Sequence, residues 1–266
     1  MAVPFNRQTM NTAGIDCGAK NTKTVILQDG KIIGKGMVLT GFDQAKAVED
    51  SLALAVDHAG IARKDIQRIF GTGSGKDAIT AAQDIVNDIT AMARGARYFY
   101  PNARTVADVG FEEGRAAKLD EQGNAVDFAI NEKCAAGAGA FIEAMSRALE
   151  VTIAEMGPLS LQSGRDIPMN AQCVVFAESE VVGLIHSRTS KADISKAIHD
   201  SIASRIVSMI RRIGINEDVA LIGGLGHNEG FMDSMAKQLK VNTIYVPECP
   251  EFGSAVGAAV SAAESK

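Results

Sequence analysis

Tryptophan is absent from the 266-residue sequence, and aromatic residues make up only 5% of it. This scarcity argues against a ligand cage built from aromatic side chains. No apolar run approaches the roughly 20 residues that a membrane-crossing helix needs, and the first twelve residues contain no apolar signal core. We therefore expect a cytoplasmic protein that has no membrane partner.

An excess of positive charge is also missing. The formal net charge is −5, and the lysines and arginines are scattered along the chain. A nucleic-acid-binding protein usually presents a basic patch or stripe, so nucleic acid is not an expected partner. Only four cysteines are present, and in a reduced compartment they are expected to be free, catalytic or metal-bound and not joined in disulfides.

The same order of structural elements occurs twice along the chain. A strand at 13–16 leads through a glycine loop to a strand at 24–28, an Asp29-Gly30 turn and a strand at Lys31–Leu39. An Asp-Gly pair between two β-rich runs predicts a hairpin. A matching series of three strands follows at 104–108, Gly114–Leu119 and Ala125–Ile130. The repetition predicts an α/β fold with two duplicated lobes.

Further patterns complete the two predicted lobes. Helices are expected at 44–59, 77–94, 139–149, 174–186 and 229–239, with strands at 66–70, 218–222 and 243–246. We place an N-terminal lobe at residues 1–100, with a final helix at 253–266 packing back on it. The C-terminal lobe then spans 101–252. A cleft between two such lobes is the natural place for a ligand.

Each lobe begins with a strand that ends in Asp-x-Gly. The two motifs are Asp16-Cys17-Gly18 and Asp108-Val109-Gly110. Backbone N–H groups of such a loop can hold phosphate oxygens, and the carboxylate can hold hydrated Mg²⁺. A single copy is common in ordinary turns. Two copies at matching places, together with a Gly-Gly-Leu-Gly run at 223–226, predict a nucleotide site.

Two other nucleotide motifs fail on inspection. The glycine-rich run at 71–76 lacks the first glycine of a P-loop, because Phe70 occupies that position, and Asp77 stands where Ser or Thr should follow the lysine. A dinucleotide-binding Gly-x-Gly-x-x-Gly also fails, because Lys76 and Glu229 occupy the places of the third glycine. Neither a Walker-type site nor NAD is predicted.

The phosphate-loop motifs resemble those of the superfamily of acetate and sugar kinases, Hsp70 and actin. This resemblance implies a ribonuclease H-like, actin/Hsp70/sugar-kinase fold that binds ATP and Mg²⁺. Over nearly the whole chain the sequence more closely resembles ATPases of the BadF/BadG/BcrA/BcrD type, which include activators of 2-hydroxyacyl-CoA dehydratases and ATPase subunits of benzoyl-CoA reductase. The most specific marks are Asn-Glu-Lys-Cys-Ala-Ala-Gly-Ala-Gly at 131–139 and Cys-Val-Val-Phe-Ala-Glu-Ser-Glu at 173–180.

Cys134 and Cys173 each stand just ahead of a helical pattern, and a helix N-terminus stabilises a thiolate. Their spacing fits no four-cysteine motif, and a buried free thiol is the commoner fate of cysteine. The resemblance implies instead that both bind one [4Fe–4S] cluster shared with a homologous ATPase subunit. Cys17 and Cys249 match no cluster position, so we expect them to be structural.

The resemblance also assigns the residues of the nucleotide site. Asp16 and Asp108 are expected to be catalytic, as are Glu112 and Glu113, which stand where the activators carry Gln-Asp. Cofactor contacts are expected from Gly18, Thr22, Lys23, Gly110, Gly137, Gly139, Gly223, Gly224 and Gly226.

Several departures from the activator pattern bear on function. The first loop has lost a hydroxyl, and Ala138 replaces the usual Thr of the cysteine motif. These departures favour one of the two unequal ATPase subunits of a benzoyl-CoA reductase, the delta type, in a heterodimer. ATP hydrolysis would then drive a low-potential electron from ferredoxin or flavodoxin, through the cluster, to acyl-CoA-reducing catalytic subunits.

Three alternatives remain open from the sequence. The first is a homodimeric activator that docks transiently on a 2-hydroxyacyl-CoA dehydratase. The second is a small-molecule kinase similar to N-acetylglucosamine kinase, although no distinct sugar-binding motif is present. The third is a nucleotide-gated binding module without catalysis.

Overall fold

The computed structural model describes residues 9–131, 137–170 and 173–265. The chain divides into two compact units, which we call the N unit (1–98 with 254–266) and the C unit (99–253). Within the described part of the chain, no helix is long and apolar enough to cross a membrane.

The N unit contains a five-stranded sheet in the order β3-β2-β1-β4-β5. Its strands are β1 Asn11–Cys17, β2 Asn21–Gln28, β3 Lys31–Leu39, β4 Arg68–Thr72 and β5 Asp84–Ile85. The first three strands form an antiparallel meander, and β4 joins the other side of β1 in parallel. Among its described residues, this unit contains most or all of three α-helices: α1 Gln44–Ala59, α2 Asp88–Phe99 and α8 Gly253–Glu264.

Helix α1 has clear start and stop signals in the sequence. The Asp43 side chain accepts a hydrogen bond from the Lys46 amide at 2.9 Å, and Gly60 ends the helix in the left-handed conformation at φ 65°. Leu52, fully buried on one face, packs in a cluster with Ile15 and other apolar residues of the sheet. This face fixes β1, and therefore Asp16 at its end, to a rigid layer.

The C unit repeats the sheet of the N unit in the order β10-β9-β6-β7-β8. Its strands are β6 Thr105–Val109, β7 Gly114–Leu119, β8 Ala125–Ile130, β9 Val219–Ile222 and β10 Ile244–Tyr245. Again an antiparallel meander of three strands is extended by a parallel strand beside the first. The topology confirms the predicted duplication.

Five α-helices accompany the second sheet in the described ranges of the C unit. They are α3 Ala138–Ala148, α4 Ile153–Leu161, α5 Val174–His186, α6 Lys191–Ile213 and α7 Glu229–Leu239. Helix α6 buries a stripe that includes Ile194, Ile198 and Ile202, whose spacing places them on one helical face. Phe231 of α7 is fully buried in the same cluster.

The structure corrects one predicted element. The helix expected at 77–94 begins only at Asp88, where the Asn87 side chain accepts a hydrogen bond from the Thr90 amide at 2.8 Å. The alanine-rich stretch before it instead runs beside β4, because the Gln83 amide donates to the Ile69 carbonyl at 2.8 Å. Pairing with the sheet has overridden the helix propensity of these residues.

Candidate functional site

The first phosphate loop connects β1 and β2 in the N unit. Asp16 and Lys23 lie directly opposite each other in the antiparallel register. The Lys23 ammonium donates to Asp16 Oδ2 at 2.8 Å, and both side chains are only 13–14% exposed. Because the pair is largely shielded from water, its attraction is stronger than that of a surface ion pair. Lys23 therefore holds the Asp16 carboxylate in a fixed direction.

Three hydroxyl and thiol groups lie buried beneath this loop. The Thr22 and Thr40 hydroxyls are 2.9 Å apart, and Thr22 also donates to Cys17 Sγ at 3.6 Å. Burial raises the pKa of the Cys17 thiol, while the hydrogen bond from Thr22 acts in the opposite direction. Thr22, which the sequence assigned to the cofactor, is fully buried and turns its hydroxyl toward Thr40.

Thr40 connects this buried group to the loop itself. Its hydroxyl donates to the Gly18 carbonyl at 2.7 Å, and its amide donates to the Lys20 carbonyl at 2.9 Å. Gly18 also lies close to the backbone of Asn21. A Cβ at position 18 would lie 2.9 Å from the Asn21 carbonyl oxygen. Contacts within the N unit thus hold the loop on both flanks.

The second phosphate loop connects β6 and β7 in the C unit. Asp108 and Arg115 are register partners, as Asp16 and Lys23 are in the N unit. The guanidinium is shared, however: it lies 4.0 Å from Asp108 Oδ2 and 2.9 Å from Glu113 Oε2. Glu112 is exposed. The C unit therefore repeats the aspartate–cation pair in a looser form and adds two carboxylates beside it.

The start of α3 lies against the second phosphate loop. The Gly139 amide donates to the Gly110 carbonyl at 3.1 Å, and the Ala140 amide donates to the Phe111 carbonyl at 3.0 Å. A Cβ on Gly137 would lie 1.8 Å from the Phe111 carbonyl oxygen, so only glycine allows this approach. Gly137 and Gly139, predicted as cofactor contacts, join the helix to the loop.

A glycine-rich loop follows β9. Gly223 has φ 91°, and a Cβ there would lie 2.6 Å from Asp108 Oδ1 and 2.5 Å from the Val109 carbonyl oxygen. Gly226 packs beside Pro250. At Gly224, by contrast, a Cβ would meet no described atom within 4 Å. Of the three predicted glycines, Gly224 is thus the one with open space for a ligand beside its backbone.

Of the two predicted cluster ligands, only Cys173 lies in the described part of the chain. Cys134 falls in residues 132–136, outside the described part of the chain. Cys173 is half-buried and forms the N-cap of α5, without a side-chain cap bond. Helix α5 then exposes Val175 and Phe176 by 66% and 68%. Among the described residues, no group of three or more His, Cys, Asp and Glu side chains is arranged to hold a metal.

Two residues of the site, Arg115 and Thr40, were not predicted from the sequence. Arg115 follows Asp108 at the same distance along the chain as Lys23 follows Asp16, and this shared offset within the repeat was the signal that could have found it. Thr40 carried no such signal, because its role depends on the return of β3 to the first loop.

The comparisons with known proteins agree on one family. A sequence model of the BadF/BadG/BcrA/BcrD ATPase family matches residues 13–262. The chain is 36% identical to the activator of lactoyl-CoA dehydratase from Anaerotignum propionicum, over 96% of this chain and 98% of that protein. It is 30% identical to a benzoyl-CoA reductase subunit from Thauera aromatica, over 94% of this chain and 92% of that protein.

Solved structures give the same picture. The activator of the 2-hydroxyisocaproyl-CoA dehydratase from Clostridium difficile, with bound ADPNP, superposes with a TM-score of 0.89 at 33% identity, covering 95% of this chain and 94% of the other. A glucokinase of the ROK family from Streptomyces griseus superposes with a TM-score of 0.57 at 13% identity, covering 96% of this chain and 100% of the other. The second likeness concerns the fold alone and supports the actin/Hsp70/sugar-kinase class.

Proposed function

This chain belongs to the BadF/BadG/BcrA/BcrD ATPase family, and on that premise we propose that it is an ATP-hydrolysing activator that supplies an electron to an acyl-CoA dehydratase. The observation that carries this proposal is the repeated aspartate–cation pair, in the same register at the first strand pair of each unit. The named activators share 33–36% of their residues with the chain, against 30% for the reductase subunit. This favours the activator alternative over the delta-type subunit.

The residues of each loop, taken by itself, fit a contact to hydrated Mg²⁺ or phosphate. Asp16 and Asp108 offer the hard carboxylate oxygens that Mg²⁺ prefers, usually through coordinated water. Lys23 and Arg115 keep these carboxylates oriented and reduce the local negative charge that would repel phosphate. Open backbone at Gly224 leaves room for a nucleotide to approach closely. Bound Mg²⁺ would neutralise charge that develops on the phosphates during hydrolysis.

Glu112 is the better candidate for orienting the attacking water. Glu113 is engaged by Arg115 at 2.9 Å, which restricts its carboxylate. Glu112 forms no ion pair with any described residue and is exposed beside the loop. A carboxylate in this position can align water and accept its proton. We assign Glu113 to holding Arg115 in place.

Helix α3 offers a direct route from the nucleotide to the cysteine segment. Its first amides donate to the carbonyls of Gly110 and Phe111, so a displacement of the second loop on hydrolysis moves the helix start. Cys134 precedes that start by only a few residues in the sequence. The proposal is that this connection couples ATP hydrolysis to the electron-carrying site.

The surroundings of Cys173 fit a ligand that is shared with a second subunit. Its side chain is half-buried at the N-terminus of a 13-residue helix, where the helix dipole favours a bound anionic group. The apolar residues exposed on α5 give a second copy of the chain a surface to cover. Cys134 and Cys173 from each of two copies would supply four thiolates. A bound [4Fe–4S] cluster would carry one electron at low potential.

A second candidate remains the ATPase subunit of a benzoyl-CoA reductase. The 30% identity to the reductase subunit from Thauera aromatica and the Phe-Glu-Glu run at 111–113 favour it. Here ferredoxin or flavodoxin would be the donor, and the partner would be a homologous subunit and not an identical one.

Anaerobic purification separates the two candidates and tests the function itself. An activator is expected to elute as a homodimer with about four irons, to hydrolyse ATP and to leave its dehydratase during purification. A reductase subunit is expected to stay in a stable mixed complex. A monomeric protein that neither binds iron nor hydrolyses ATP would contradict both.

A further inference from the structure

The N unit contains a loop equivalent to the glycine-rich loop that follows β9. In each sheet a parallel strand pairs with the first strand, so that Thr72 lies opposite Asp16 as Ile222 lies opposite Asp108. Each strand is followed by a glycine with positive φ, 98° at Gly73 and 91° at Gly223. The two loops therefore begin at the same point of the duplicated fold.

The contacts of these two glycines match as well. A Cβ on Gly73 would lie 2.5 Å from Asp16 Oδ1 and 2.5 Å from the Cys17 carbonyl oxygen. The corresponding distances from Gly223 are 2.6 Å to Asp108 Oδ1 and 2.5 Å to the Val109 carbonyl oxygen. Each glycine carbonyl then accepts a hydrogen bond from the third residue on, at 3.2 Å in the N unit and 3.0 Å in the C unit.

Thr72 is an independent sign of a ligand at this loop. It is fully buried, and its hydroxyl has no hydrogen-bond partner among the residues that the structure describes. As register partners in a parallel pair, Thr72 and Asp16 point their side chains to the same face of the sheet. The fold does not require the hydroxyl, since the C unit has buried Ile222 at this position. A buried hydroxyl without a partner is costly, and a bound group would satisfy it.

We propose that residues 72–76 form a phosphate-binding loop of the N unit, with the Thr72 hydroxyl and the Lys76 ammonium as contacts to the phosphates of the nucleotide. Gly73 allows the loop to lie directly against Asp16, as only glycine can. Lys76 is partly exposed and has no ion-pair partner within the described ranges. The inference rests on the proposed ATPase function and adds a contact set to it. The failed P-loop pattern of the sequence is thus a phosphate loop of a different fold.

Equilibrium binding of Mg²⁺ with a non-hydrolysable ATP analogue tests the proposal on the full, anaerobically prepared protein. Lys76→Ala is expected to weaken binding about tenfold or more, because a charge-assisted contact is lost, whereas Lys76→Arg retains most of the affinity. Lys64→Ala removes an exposed lysine of the same unit and serves as the control.

Thr72→Val gives the sharper test because it should weaken nucleotide binding without lowering the stability of the unliganded protein. Analogue binding is expected to weaken about three- to tenfold, the effect of one hydrogen bond, while the Tm of the unliganded protein stays the same or rises. Thr72→Ser should keep the affinity. Thr105→Val is the matched control, because its buried hydroxyl donates to the Asn216 carbonyl at 2.7 Å. That variant should lower the Tm without changing the affinity.

Three results would overturn the inference. Wild-type affinity in both Lys76→Ala and Thr72→Val, with binding lost in Asp16→Asn, would refute this loop and leave the ATPase function standing. A clearly lower Tm of unliganded Thr72→Val would show that the hydroxyl is bonded within the protein. If the wild-type protein binds no nucleotide, the proposed function fails together with the loop.

Discussion

The two phosphate loops of the protein share one electrostatic plan and differ in what is attached to them. In the N unit, Lys23 holds Asp16 at 2.8 Å, and the buried hydroxyl of Thr40 fixes the loop from below. In the C unit, Arg115 is divided between Asp108 and Glu113, and the loop carbonyls accept hydrogen bonds from the start of α3. The comparison shows that the first phosphate loop (the N loop) is held by its own strands, whereas the second (the C loop) is bonded to the start of a helix. The coupling of ATP hydrolysis to the cysteine segment proposed above depends on this second connection.

The largest expected effect concerns the four cysteines, of which Cys17 belongs to the N unit and Cys134, Cys173 and Cys249 to the C unit. Cys134→Ser or Cys173→Ser should lose or destabilise the cluster and abolish electron transfer, because a serine oxygen is a poorer ligand for this centre than thiolate. Cys17→Ser and Cys249→Ser should keep about four irons per dimer. The measurements are iron, acid-labile sulfide and the reduced-cluster paramagnetic resonance signal under anaerobic conditions.

One result for the two cysteine variants would contradict the proposed cluster. Four irons per dimer and normal electron transfer in both Cys134→Ser and Cys173→Ser would remove the electron-carrying role from the C unit. Nucleotide binding is the internal control, since both variants are expected to retain it.

The next effect is on turnover in the C loop. Glu112→Gln is expected to lower the rate of ATP hydrolysis about a hundredfold with little change in nucleotide affinity, because it removes a base for the attacking water. Glu113→Gln should have a smaller effect, since Glu113 acts through Arg115. The exposed Glu248 of the same unit gives the control variant Glu248→Gln. An unchanged rate of ATP hydrolysis in Glu112→Gln would mean that another residue orients the attacking water.

Buried His199 of the C unit should make the stability of the protein depend on pH in the acidic range. Burial lowers the pKa of this histidine to about 4, against an ordinary value of 6.5, and the nearby Asp200 raises it only in part. The unfolded chain therefore takes up the proton first, so stability should fall as the pH is lowered from about 6.5 toward 4. The loss should reach about 3 kcal/mol at most.

Denaturant unfolding across that pH range measures the effect of His199. His199→Leu should flatten the pH dependence of the unfolding free energy. An equally steep dependence in His199→Leu would assign the acid sensitivity to other groups.

The smallest expected effect concerns Thr40, which holds the N loop. Thr40→Val removes the hydroxyl that donates to the Gly18 carbonyl and contacts Thr22, and it should cost about 1–2 kcal/mol of stability. The KM for ATP should rise severalfold, because the loop is less firmly held. Exposed Thr80 provides the control substitution. A stability loss without any change in KM would limit Thr40 to a structural role.

Much of the fold was readable from the sequence because the repeat is strong. The strands Lys31–Leu39, Gly114–Leu119 and Ala125–Ile130 and the helices Gln44–Ala59 and Val174–His186 were predicted with the bounds observed. Helices α4 and α6 were not predicted. The stretch at 77–87 was misread because local propensity does not reveal that Gln83 pairs with β4.

The site was readable only where a local motif marked it. Asp16 and Asp108 stand in Asp-x-Gly loops, which sequence patterns reveal directly. The burial of Thr22, the docking of Gly137 on Phe111 and the equivalence of Gly73 with Gly223 depend on contacts between segments far apart in the chain. Such contacts leave no periodic signal in a single sequence.

The most direct test of the account is the steady-state rate of ATP hydrolysis in Asp16→Asn and Asp108→Asn, measured beside the wild type on anaerobically purified protein. If each aspartate takes part in ATP hydrolysis, each single substitution should lower the rate by about two to three orders of magnitude, as the loss of a preorganised charge does in other enzymes. Full activity in either variant would contradict the proposed role of that aspartate in ATP hydrolysis.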